Sequence, residues 1–214
     1  MARRIMIVGN GEIGDGFADF IDAADCVMRF NDCRSVGPGG TRTDIVTVCN
    51  TGRPGKTMSE NSGWANNKSV WFAASIWCIR DPQKFRAMKA DILRDHPELD
   101  DFCDDYTDGF ADYARQNGKD FHIVPGATHE ALDRDLAAYR PTPYVVPSTG
   151  AVAIAEFLTH YSQPADEIVL AGFGHQGWDG HPWAAEKAWV DALVRRGRLI
   201  RLSDKHSRRC AQGA

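Results

Sequence analysis

Short apolar runs alternate with longer amphipathic stretches along this chain. Residues 5–8, 26–30, 45–49, 70–73, 121–124, 168–171 and 199–202 are rich in β-branched, aromatic and other apolar side chains. They read as strands buried on both faces, which favours parallel pairing. Between them, 14–21, 82–95, 98–117, 129–139, 149–161 and 182–195 carry apolar residues at helical spacing. Strands alternating with helices predict an α/β fold, a mainly parallel sheet flanked by helices in the Rossmann-like manner. Residues 1–214 read as one domain. Segments 37–40 and 50–68, rich in Gly, Pro, Asn and Ser, read as loops at strand ends, where α/β proteins take their ligands.

The first strand runs into Gly9-Asn10-Gly11-Glu12-Ile13-Gly14. Glycines let a backbone approach a phosphate, and a helix opening at such a turn offers free N–H groups. Asp32 falls eighteen residues after Gly14, where a dinucleotide site places its ribose-binding acid. A nicotinamide-dependent oxidoreductase on Gly9, Gly11, Gly14 and Asp32 is therefore one reading, and a plain tight turn is another. A second turn, Pro147-Ser148-Thr149-Gly150, precedes a helix and can cap it or face an anion. Gly172-Phe173-Gly174 follows the strand at 168–171, with Phe173 placed equally for core packing or for stacking on a base. Pro182 suits a first helical position and so sets His181 at the helix entrance.

Read together, these islands resemble the motifs of the sialyltransferases, glycosyltransferase family 29. The stretch Val8-Gly9-Asn10-Gly11, Ile21-Asp22, Arg29-Phe30-Asn31 and Gly40-Thr41-Arg42-Thr43 is similar to the long motif. Pro147–Gly150 with Gly172-Phe173-Gly174 is similar to the short one, with Ala171 where a tyrosine is common, and His181 with Glu186 to the very short one. The resemblance implies a variant GT-A type fold and a metal-independent enzyme, a short bacterial-type member. Such an enzyme moves a sialic acid or Kdo-type sugar from a CMP-sugar donor to a glycan or glycolipid acceptor hydroxyl with inversion. It implies Gly9, Asn10, Gly11, Asn31, Ser148, Thr149, Gly150, Gly172, Phe173 and Gly174 around CMP, His181 as general base, and Glu186 orienting the turn beside it. The family's phosphate-contacting histidine motif has no counterpart, which leaves His175 as the substitute. The family's motif-joining disulfide is also missing: Met6 stands near Val8-Gly9-Asn10, and no cysteine follows Gly150 in its helix. The same resemblance includes a non-catalytic, nucleotide-binding accessory protein of the urease-operon type.

Composition narrows the partners. A net charge of −4 disfavours non-specific nucleic-acid binding, so Arg195-Arg196-Gly197-Arg198 and Arg208-Arg209 read as solvated ends. Six cysteines without paired spacing suggest free thiols and neither zinc nor disulfides. No stretch reaches bilayer length, and the basic start leads straight into a strand, so a cytoplasmic protein is expected. The acidic pairs Asp100-Asp101 and Asp104-Asp105 read as an exposed helix face, not a metal site. No cofactor is expected beyond the CMP-sugar substrate. Trp64, Trp71, Trp77, Trp178 and Trp183 are candidates for sugar stacking or for core.

Overall fold

The computed structural model describes residues 2–202; Arg208, Arg209 and Cys210 lie outside the described residues. Strands β1 (Arg4–Val8), β2 (Cys26–Phe30), β3 (Ile45–Val48), β4 (Ser75–Cys78), β5 (Asp120–Ile123), β6 (Glu167–Ala171) and β7 (Ile200–Arg201) pair entirely in parallel. Their order across the sheet is β5-β4-β3-β2-β1-β6-β7. The helices are α1 (Ala18–Asp22), α2 (Gly52–Glu60), α3 (Ser62–Ala65), α4 (Lys68–Phe72), α5 (Pro82–Asp95), α6 (Thr107–Gln116), α7 (Gly126–Ala137), α8 (Thr149–Glu156) and α9 (Trp183–Arg195).

Alternation along the strands explains their all-apolar character. Ile5, Ile7, Met28, Phe30, Ile168 and Leu170 face one layer, built from Leu132 and Leu136 of α7, Val152 and Ile154 of α8, and Trp189 and Val190 of α9. Their neighbours Met6, Val8, Val27 and Val169 face Phe20 and Ile21 of α1. Val46, Val48, Ile76 and Cys78 meet Met58, Trp64, Val70 and Phe110 on that second side. Strands β1, β2, β3, β4 and β6 are thus buried on both faces, as parallel sheets require, while the edge strands β5 and β7 are only partly covered. The chain lays down β1 to β5 in one direction, then crosses back to put β6 on the other side of β1. Loops after β1 and β6 leave in opposite senses there and open a crevice at the carboxyl ends of the strands.

Four expectations are corrected. The run 70–73 is helix, not strand: Asn67 caps it by accepting from the Ser69 N–H, and Trp71 and Phe72 are 57% and 75% exposed. The strand comes later, at β4. The glycine turn does not open a helix at Gly14, because Gly16 adopts φ +83° and helical backbone begins only at Ala18. The segment 50–68 is not a loop but contains α2 and α3. The segment 98–117 is not one helix; a 3-10 turn, Pro97–Leu99, precedes irregular chain before α6. Its acidic residues pin that irregular chain: Asp101 pairs with Arg53 at 2.9 Å, Asp104 with Lys89 at 2.8 Å, and Asp105 accepts from the Thr107 N–H at 2.9 Å. Helix α8 also continues as a π-helical turn, Phe157–Tyr161.

Part of the long motif proves to be scaffold. Arg29 is fully buried, and its guanidinium donates to the carbonyls of Arg42 and Gly39 and to the hydroxyls of Thr43 and Ser35. Asp22 accepts from the N–H groups of Thr41 and Arg42. Burial pushes the Asp22 carboxyl up, but these hydrogen bonds outweigh it and hold the group below its ordinary value. The two side chains clip the 35–43 loop to β2 and to the end of α1.

Candidate functional site

Three glycines close the crevice floor. The Gly9 N–H donates to the Ala171 carbonyl at 2.8 Å, and the Gly11 N–H to the Gly172 carbonyl at 2.9 Å. A Cβ on Gly9 or Gly11 would lie 2.5 or 2.7 Å from the Gly172 oxygen, and one on Gly172, at φ +67°, 2.8 Å from the Gly9 oxygen. The glycine pattern thus answers first to this backbone contact between the ends of β1 and β6. Gly172→Ala is expected to cost about 2–4 kcal/mol, from left-handed strain plus overpacking, measured by chemical denaturation. Gly150 is small for another reason: a Cβ there would meet the Phe173 ring at 2.8 Å. That ring packs edge-on against Phe30, with centroids 5.8 Å apart.

Asparagines carry the hydrogen-bond ladder beyond the strand ends. Asn10, after β1, donates to the Phe30 carbonyl and accepts from the Arg34 N–H, at 3.1 and 3.0 Å. Asn31, after β2, accepts from the Cys49 N–H at 2.9 Å. Asn50, after β3, accepts from the Arg80 N–H at 2.7 Å and donates to the Arg80 carbonyl at 2.9 Å. Each amide stitches its strand to the next; Asn10 and Asn50 use both donor and acceptor, Asn31 its acceptor alone. Asn31 keeps its NH2 group without a partner among the described residues.

Ser148 caps α8 by accepting from the Ala151 N–H at 3.1 Å. Its own hydroxyl and backbone N–H both donate to the carboxylate of Glu186, each at 2.6 Å. Glu186 therefore reaches from α9 to set the α8 turn, not the turn around His181. Burial pushes its pKa up, partly offset by the two Ser148 bonds. The N–H groups of Thr149 and Gly150, in the first turn of α8, have no intrahelical acceptor.

His181 Nδ1 lies 2.8 Å from the Val146 carbonyl, which fixes the proton on Nδ1 and leaves the Nε2 lone pair free. The ring sits edge-on to Trp178 and Trp183 at 4.9 and 5.0 Å. Burial pushes its pKa down to about 4, and the Arg80 charge adds to the effect against the Val146 bond. His175 accepts at Nε2 from Arg201, at 3.0 Å, and Arg201 is itself tied to Asp191. Burial first, then the Arg201 charge, push His175 down to about 4 as well, so it offers only a neutral Nδ1–H.

The strand ends enclose one cleft of about 1390 Å³. Gly9, Asn10, Gly11, Asn31, Ser148, Thr149, Gly150, Gly172, Phe173, Gly174, His175, His181 and Glu186 all line it, as do Trp178 and Trp183. Trp64 and Trp77 are core, and exposed Trp71 lies outside the cleft lining. Asp32 is also outside the lining and pairs with Arg34 at 3.1 Å, so the dinucleotide geometry loses its ribose acid. Sequence reading missed Arg80, two residues beyond β4 and 2% exposed, which lines the cleft with Nε and Nη1 unbonded. Among the described residues, no His, Cys, Asp or Glu cluster is arranged to hold a metal. No helix among them is long and apolar enough to cross a membrane.

No protein-family model matches the chain. The fold is shared with solved sialyltransferases. A mammalian sialyltransferase superposes with a TM-score of 0.54 at 18% identity, covering 94% of this chain and 69% of that one. CstII from Campylobacter jejuni, solved with the substrate analogue CMP-3FNeuAc, gives 0.55 at 13% identity, covering 94% and 81%. At such identities the likeness shows the Rossmann-like fold. Sequence kinship is far stronger with the urease operon 23 kDa accessory protein of Rhizobium meliloti (strain 1021), 51% identical over 212 residues, 99% of this chain and 98% of that protein. At that identity and coverage, the chain belongs to the family of the urease operon 23 kDa accessory protein.

Proposed function

We propose that the cleft binds a CMP-activated acidic sugar, of the sialic acid or Kdo type, and that the protein transfers this sugar to an acceptor hydroxyl with inversion. The observation that carries the reading is His181, whose tautomer leaves a neutral Nε2 directed by its Val146 bond away from the backbone. In the proposed reaction the acceptor oxygen attacks the anomeric carbon while the bond from that carbon to the CMP phosphate oxygen breaks. The acceptor proton passes to Nε2, and CMP leaves with the bonding electron pair. Asn10, Asn31, Phe173 and the Gly9–Gly172 floor would hold the nucleotide. The free Thr149 and Gly150 amides and the neutral His175 Nδ1–H would face the departing phosphate. CstII, which shares the fold, was solved with the substrate analogue CMP-3FNeuAc, and that supports a CMP-sugar as the ligand class.

A second reading, a non-catalytic nucleotide-binding accessory protein, is favoured by the name of the Rhizobium meliloti relative. Thermal shift tests the nucleotide site that both readings share, and sugar transfer from a CMP-sugar, expected only of the enzyme, separates them. CMP at about 100 times its Kd adds about 2.7 kcal/mol of stability, roughly 5–10 °C for a chain of this size. NAD and NADP are expected to leave Tm unchanged. A response to NAD alone would sink the CMP reading, and silence towards all three favours an accessory protein that binds a partner and no nucleotide.

A further inference from the structure

We infer that Arg80 is the residue that selects an acidic sugar, holding the carboxylate of the transferred residue beside His181. The assignment rests on the nucleotide-sugar reading of the cleft. Arg80 is placed with care: the Asn50 amide grips both its N–H and its carbonyl, at 2.7 and 2.9 Å. The side chain is 2% exposed, and its guanidinium lies over the rings of Phe85 and Phe102, 4.8 and 5.8 Å from their centroids. Among the described residues it forms no ion pair with a carboxylate, and Nε and Nη1 have no hydrogen-bond partner. An arginine withdrawn from water without an anion is costly to a fold, and aromatic faces replace only part of what water supplied. Arg29 shows the contrast: it is equally buried, yet every guanidinium nitrogen has an acceptor. A group that merely filled space under Phe85 and Phe102 would do better without its charge.

Position decides which anion. In the sheet order β4 stands three strands from β1, roughly 14 Å at the usual strand spacing. The glycine floor, Asn10, Asn31 and Phe173 cluster at the β1, β2 and β6 ends and suit the nucleotide. Arg80 sits on the opposite side of the cleft, and a run of rings leads from it to the base: its guanidinium lies over Phe102, Phe102 packs on Trp178 at 5.6 Å, and Trp178 packs on His181 at 4.9 Å. The anion it faces is therefore next to the base, where the bond to the sugar is made, and not at the nucleotide end. A 2-keto-acid sugar carries its carboxylate on the reacting carbon itself.

The test is a titration of CMP, CMP-sialic acid and the methyl ester of CMP-sialic acid. The wild-type protein is expected to bind the acid at least about 10-fold more tightly than the ester, the range of a hydrogen bond to a charged group. Arg80→Met should bind acid and ester within about twofold of each other, with CMP affinity near wild type. Arg80→Lys, which keeps the charge without the planar fork, should retain part of the preference. A wild-type acid-to-ester ratio in Arg80→Met, or no preference in the wild type, would overturn the assignment while leaving CMP binding intact. Absence of CMP binding to the wild-type protein would instead overturn the nucleotide reading, and this assignment with it.

Discussion

Replacing His181 by alanine is expected to slow sugar transfer by about 10²–10⁴-fold, the usual contribution of a positioned base, with CMP affinity within about twofold of wild type. In the proposed reaction the side chain would contribute only its Nε2 lone pair, since Nδ1 is committed to the Val146 carbonyl. The pH profile provides a second, independent check. With its pKa pushed down to about 4, His181 is neutral and base-competent throughout the neutral range. Transfer should be flat from about pH 8 to pH 5 and fall only towards pH 4, whereas an unperturbed histidine would place the limb near 6.5. The same shift couples to stability. The folded state binds fewer protons than the unfolded chain between the two pKa values. His181 therefore contributes stability fully present above about 6.5 and lost as pH falls towards about 4. His181→Ala should lose that contribution and show a shallower acid limb in denaturation measured from pH 7 to 4. A transfer rate unchanged by the substitution would remove His181 as the base.

The strands and the cleft were legible for the same reason: uninterrupted apolar runs ending in Gly, Asn or Pro mark the carboxyl edge of a parallel sheet. Every motif residue assigned to the nucleotide or to catalysis lines one cleft, although several serve the backbone first, and Asp22 and Arg29 of the long motif are scaffold. Gly9, Gly11 and Gly172 touch each other, and Asn10 stitches β1 to β2. The error that mattered was at 70–73. Val70, Trp71, Phe72 and Ala73 look like a strand by propensity, but Asn67 caps a helix there and only Val70 and Ala73 are buried. Misplacing that strand hid the true one at 75–78, and with it Arg80 at its carboxyl end, where α/β folds gather their ligands. The run Ser75-Ile76-Trp77-Cys78-Ile79 before Asp81-Pro82, a helix cap followed by a first-turn proline, was the available signal. No local pattern announces a contact such as Glu186 with Ser148, which joins residues 38 apart.

That contact yields the other large effect. Glu186 is 1% exposed, and its two oxygens take both donors of Ser148. Glu186→Ala is expected to cost about 2–4 kcal/mol, because it leaves a buried N–H unpaired and opens a cavity between α8 and α9. Denaturant titration measures this. Glu186→Gln should be milder, since its amide oxygen can still accept the Ser148 N–H. Its NH2 group then donates to a hydroxyl that already accepts from the Ala151 N–H. The kinetic consequence separates positioning from chemistry. In the proposed reaction Glu186 would act on the donor through the α8 turn, so the alanine variant should raise the donor KM by roughly 10-fold and lower kcat much less. His181→Ala should do the reverse. A Glu186→Gln variant that folds with wild-type stability and donor KM but loses kcat as severely as His181→Ala would show that this carboxylate takes part in proton transfer, and would reverse its assignment as the holder of the Ser148 turn.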